Sequence, residues 1–196
     1  YIRQTHLNHP MIVGHSLGGL LAMMVVDANP GLVERVVIVD SLPFFGMLSG
    51  PQATVESVTP VAAKVRDQLL GQAQADFAKG EETAMARLIK SKGPEAQAAL
   101  AAAKASDHNV VAHAMYEDWT TDLRPRLGSL KAKMLVLYAF DATMGIPPAA
   151  VDGLYGSAYA ALPDKQLVRV DGSYHFIQVD QPDRFHDELA RFLSGR

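Results

Sequence analysis

The chain has 196 residues, 48% of them apolar and 20% charged, with a formal net charge of −3. That balance suits one soluble globular domain with a real core, and it argues against intrinsic disorder, a nucleic-acid partner and a membrane span, for which a bilayer needs ~20 apolar residues in a row. Cysteine is absent, which excludes disulfides, thiolate chemistry and zinc-thiolate sites.

Residues 1–9 read as the end of a helix. The first clear element is Pro10-Met11-Ile12-Val13, a short apolar run that reads as a buried strand. It passes directly into Gly14-His15-Ser16-Leu17-Gly18-Gly19. A helical pattern follows over residues 17–28 and stops at Asn29-Pro30. Residues 33–40, with Val36-Val37-Ile38-Val39, give a second buried strand. Strand, tight turn, helix, strand is a βαβ unit, which implies parallel pairing and an α/β fold.

Residues 42–123 have a different character. Phe44, Phe45 and Met47 sit among prolines and glycines, and an alanine-rich helical region follows. Its expected boundaries are Pro60, Gly80, Gly93-Pro94 and Ser106-Asp107. Helical spacing is kept by Val61, Val65 and Leu69, and again by Val111, Met115 and Trp119. A strand-free stretch this long is too much for a connection within one sheet. We read it as a helical lid over a core formed by residues 1–41 and 124–196. Strand signals return at 133–139, a helix is expected over 148–162, a fourth strand over 166–170, and an amphipathic helix over 182–193 with Pro182 in its first turn.

Gly14-His15-Ser16-Leu17-Gly18 fits G-x-S-x-G, and its place between a strand and a helix is the context that motif requires. A nucleophile on such a turn is held in strained backbone geometry, which small neighbours permit. Gly14 and Gly18 supply room, and Gly19 lets the helix pack close. Ser16 then projects above the sheet, and the Leu17 amide, at the positive end of the helix, faces a developing oxyanion. Helix capping would account for a serine here, but not for the flanking glycines and the apolar strand before them.

Serine needs a base. His175 is the best placed of seven histidines, in the loop after the last strand, where sites assemble in open α/β sheets. The other histidines read as structural; no metal site and no cofactor are expected. A carboxylate must fix the imidazole tautomer. Asp141, after the third strand, gives the chain order Ser, Asp, His; Asp40, at the end of the second strand, is the runner-up. Asp118 and Asp122 read as caps or anchors of the approach to the third strand. Phe44, Phe45, Met47, Met115, Trp119 and Met144 are expected to line an apolar pocket.

On these residues the sequence resembles the α/β-hydrolase superfamily. The resemblance runs from the Gly14–Gly19 turn through strand 36–40, the helical insertion, Asp122-Leu123-Arg124-Pro125, strand 134–139 and Tyr174-His175-Phe176. It implies a parallel sheet flanked by helices with a helical cap, of which only the later half of the sheet is present. The strands that come before the elbow in such hydrolases have no match here, so a missing amino-terminal part, carrying the second oxyanion donor, is expected. The implied activity is hydrolysis of a carboxylic ester of an apolar or aromatic substrate, a small molecule, through an acyl-enzyme. Carbon–carbon bond hydrolysis or cofactor-free perhydrolysis on the same triad, and a non-catalytic binding domain, are the alternatives. Acyl length, oligomeric state and compartment (cytoplasmic or exported) stay open at this stage.

Overall fold

Four runs of branched aliphatic residues make one sheet in a computed structural model that describes residues 1–195. The strands are β1 (Met11–His15), β2 (Arg35–Val39), β3 (Lys133–Phe140) and β4 (Lys165–Asp171). All pair in parallel, in the order β1-β2-β3-β4. Register sets Met11 beside Arg35 and Arg35 beside Lys133, so the carboxyl ends of the strands gather on one side. Each strand end lies within two residues of its expected position, as fraying ends do.

Both faces of β2 and β3 are buried, which is why they read as unbroken apolar runs. On one face Val36, Ile38, Met134 and Val136 pack with Leu20 and Met23 of α1 (Leu17–Ala28) and with Tyr155 and Tyr159 at the end of α6 (Pro148–Ala158). On the other, Val37, Val39, Leu135 and Leu137 meet Ile177 of the short α7 (Ile177–Asp180) and Phe192 of α8 (Pro182–Ser194). Each buried aliphatic side chain among these contributes roughly 1.5–3 kcal/mol relative to exposure. β1 forms one edge of the sheet, and Val13 on it is 45% exposed.

Between β2 and β3 lie the helices α2 (Val55–Leu70), α3 (Gln74–Leu88), α4 (Pro94–Ala105) and α5 (His108–Thr120). Two expected breaks fall inside them. Pro60 lies within α2, because the helix starts earlier, at a reciprocal cap between Thr54 and Ser57. Gly80 lies within α3, where a β-carbon would meet nothing within 4 Å. Gly93-Pro94 and Asp107 do start helices: Pro94 opens α4, and the Asp107 carboxylate accepts from the Asn109 amide at 2.8 Å. Residues 2–6 form turns, not the helix end expected there; the Thr5 amide closes one on the Tyr1 carbonyl at 2.9 Å. Among the described residues, no helix is long and apolar enough to cross a membrane.

Candidate active site

β1 delivers Ser16 in a backbone conformation that a serine rarely adopts, with φ 54° and ψ −127°. The turn is held from both sides. Ser16 donates its amide to the Val39 carbonyl at 2.9 Å, and its own carbonyl accepts from the Gly19 amide at 2.8 Å. Glycine is needed at two of the three expected positions. A β-carbon on Gly14 would lie 2.2 Å from the Gly18 carbonyl oxygen, and one on Gly19 would lie 2.6 Å from the Ser41 β-carbon. A β-carbon on Gly18 would meet nothing within 4 Å, so the room ascribed to Gly18 is not required.

The carboxylate that meets His175 is Asp40. Its Oδ2 lies 2.7 Å from His175 Nδ1, while Oδ1 accepts from the Ala139 amide and from the Tyr155 hydroxyl, both at 2.9 Å. β2 lies next to β1, so Asp40 ends the strand beside the serine's. Its φ of 46° is again unusual for a residue other than glycine. Tyr155 is deeply buried beside this carboxylate, which pushes its hydroxyl well above the ordinary phenol range and keeps it a donor. With Nδ1–H given to Asp40, the lone pair of His175 sits on Nε2.

The expectation for Asp141 is therefore corrected. Its Oδ2 takes Lys90 Nζ at 2.6 Å, and its Oδ1 accepts from the Thr143 amide at 2.9 Å and from the Thr143 hydroxyl. These partners, the lysine first, lower its pKa to about 2. Asp141 ties the lid to the sheet and caps the turn Ala142–Met144. Asp180 has a related part: it accepts from the amides of Lys90, Ser91 and Tyr174, and so joins the lid to the loop that carries His175.

His15, expected to be merely structural, props that same loop. Its Nε2 lies 2.9 Å from the His175 carbonyl oxygen, and the two rings are 4.5 Å apart. Burial, and then the neighbouring His175, lower its pKa to about 4. It is thus a neutral ring that donates to the carbonyl.

Ser16, Asp40 and His175 open on two connected cavities that also share Phe45, Leu48, Asp118 and Met144. The smaller, about 220 Å³, lies toward α6 and is walled by Leu42, Val151 and Leu154. The larger, about 650 Å³, lies under the lid, against Leu17, Val111, Met115 and Trp119. Among the described residues, no hydrogen bond joins the Ser16 hydroxyl to the imidazole; the two share the cavity wall. Of the six expected pocket residues, Phe45, Met115, Trp119 and Met144 line it. Phe44 and Met47 belong to the core: Phe44 is fully buried with the Arg124 guanidinium 4.4 Å from its ring centre, and Met47 is 8% exposed among core side chains. Asp122 is an anchor, as expected, with Arg124 Nη2 at 2.6 Å, but Asp118 faces the cavity. Helical spacing carries a signal for it, since Met115, Asp118 and Trp119 share one face. Among the described residues, no group of three or more His, Cys, Asp or Glu side chains could hold a metal ion.

A family model described as "Alpha/beta hydrolase family" matches residues 2–188. An uncharacterised protein of Mycobacterium tuberculosis is 27% identical over 202 residues, covering 93% of this chain and 55% of that protein. The chain thus spans about half the length of this curated relative. Among solved structures, a hydrolase from Pseudomonas aeruginosa is 18% identical with a TM-score of 0.73, over 98% of this chain and 67% of that one. An esterase from Exiguobacterium antarcticum is 16% identical with a TM-score of 0.74, over 98% and 69% of the two chains. At these identities the structural likeness shows the fold alone.

Proposed function

The chain belongs to the alpha/beta hydrolase family, and from that premise we propose that it is a serine hydrolase that cleaves a carboxylic ester of an apolar or aromatic substrate. The observation that carries this reading is the pairing of a strained Ser16 with His175, whose Nδ1 is fixed by Asp40, on the wall of one apolar cavity. His175 Nε2 takes the hydroxyl proton as Ser16 Oγ attacks the ester carbonyl. Asp40 holds the tautomer and stabilises the imidazolium that forms. The Leu17 amide, first in α1, faces the oxyanion, where an oriented donor is worth about 10²–10³ in turnover. The imidazolium returns its proton to the leaving alcohol, which departs and leaves an acyl-serine. Water, deprotonated by His175, then releases the acid.

Apolar side chains make most of the wall away from the serine and support an uncharged substrate, with Arg87 exposed at the rim. Phe45, Leu48, Met115 and Trp119 offer no partner to a phosphate or carboxylate. The test is a rapid-mixing experiment with 4-nitrophenyl butyrate. A burst of nitrophenol, stoichiometric with protein, and a butyryl group on the Ser16 peptide by mass spectrometry are expected. No turnover by the folded protein, or acyl transfer to another residue, would overturn the reading.

A further inference from the structure

Apart from Asp118, the charged and phenolic side chains of the cavity have a partner in the chain or stand in solvent. Asp40 is satisfied three times over. Tyr174 shares its hydroxyl with Thr143 at 2.8 Å, and Tyr155 gives its own to Asp40. Arg87, at the rim of the larger cavity, is exposed. Asp118 comes down from the last turn of α5, half-buried between Met115 and Trp119, and has no hydrogen-bond or ion-pair partner among the described residues. It lines both cavities, as do Ser16 and His175, and so it stands where they meet.

We infer that Asp118 is a specificity-determining residue that accepts a hydrogen bond from a neutral donor, a hydroxyl above all, carried by the substrate close to its ester group. The inference rests on the hydrolase reading above and names the substrate class more narrowly. A carboxyl among apolar walls is costly without a donor, and no group among the described residues supplies one. Burial raises its pKa to about 6, and in its ionised form it acts only as an acceptor. Once a ligand fills the cavity and excludes water, the donor must come from that ligand. An ester bound with its carbonyl at Ser16 extends into both cavities, and the atoms next to the ester group lie at their junction, beside Asp118. The remaining walls suit hydrocarbon. A hydroxyl fits these otherwise apolar walls better than an ammonium group, whose desolvation costs far more.

Matched substrates test this. Glycerol 1-monobutyrate is compared with propyl butyrate, and ethyl 3-hydroxybutyrate with ethyl butyrate, for the wild type, Asp118→Asn and Asp118→Leu. Labelling of Ser16 by a fluorophosphonate is followed in parallel on the same samples. The wild type is expected to favour at least one hydroxylated ester by ~10-fold or more in kcat/KM, the size of a hydrogen bond to a charged group. Asp118→Asn, which keeps an acceptor oxygen, lowers that ratio. Asp118→Leu brings it close to one while Ser16 still labels and the plain ester is still cleaved. Ser16 that labels with a hydroxyl preference near one in the wild type, or one unchanged in both variants, overturns the assignment of Asp118. So does a labelled protein that cleaves neither hydroxylated ester. A folded protein that neither labels nor turns over any ester overturns the hydrolase reading itself, and this inference with it.

Discussion

His175 Nδ1 lies 2.7 Å from Asp40 Oδ2, at the end of β2, whereas Asp141, at the end of the neighbouring β3, is 2.6 Å from Lys90 Nζ. Two aspartates thus divide two tasks: one orients the imidazole and the other fastens the lid. In the proposed mechanism, Asp40→Asn leaves the loop in place but favours the wrong imidazole tautomer. It should lower kcat on 4-nitrophenyl butyrate by about 10⁴. Asp141→Asn should keep kcat within about tenfold. Steady-state kinetics of the two variants decides, and the opposite order would return the acid's role to Asp141.

The elbow makes an asymmetric demand on its glycines. Gly14→Ala drives a methyl group into the Gly18 carbonyl, 2.2 Å away, and should cost about 1–3 kcal/mol or prevent folding. Gly18→Ala enters open space within α1 and should leave stability unchanged or raise it by about 0.5–1 kcal/mol. Urea unfolding midpoints measure both. Equal losses at the two positions would contradict the geometry.

These contrasts mark what was legible in the sequence. The elbow could be read because strand, glycine, serine and helix are contiguous, and local sterics act between neighbours in the chain. His175 stands out in the sequence because it follows the last strand. The acid was ambiguous because Asp40 and Asp141 both end strands. The choice depends on Lys90, a lid residue distant in sequence that engages Asp141. The sequence suits Asp118 to a cap or an anchor, because α5 shows its cavity-facing side only once the lid lies over Ser16. Phe44 and Met47 carry the same signal as Phe45, and only tertiary packing separates core from cavity wall.

The half-buried His15 should remain neutral well below the usual imidazole range. Its pKa is about 4 in the folded chain against 6.5 for the free side chain. A lowered folded value means that its contribution to stability is complete above about 6.5 and is lost as pH falls toward 4. The ring signals of His15 in an NMR titration should stay flat from about pH 8 to pH 5.5. A midpoint near 6.5 would contradict its burial and its bond to the His175 carbonyl.

Asp141 makes the lid sensitive to acid. Its folded pKa of about 2 lies below the ordinary 3.8. The stability it confers is complete above that ordinary value and is lost as pH falls toward 2. Lys90→Met removes the main cause of the shift. It should move acid unfolding to higher pH and speed amide exchange at residues 88–92. Thermal melts across pH 2–6 and hydrogen exchange check this, and a variant that matches the wild type in both would show that the pair does not fasten the lid.

The central claim is that Ser16 is a nucleophile activated by His175. The most direct measurement is covalent capture by a fluorophosphonate probe, with the modified peptide mapped by mass spectrometry. The account predicts one label, on Ser16, absent from Ser16→Ala and formed much more slowly in His175→Ala. A folded wild-type protein that takes up no label, or a label that persists in Ser16→Ala, would contradict it.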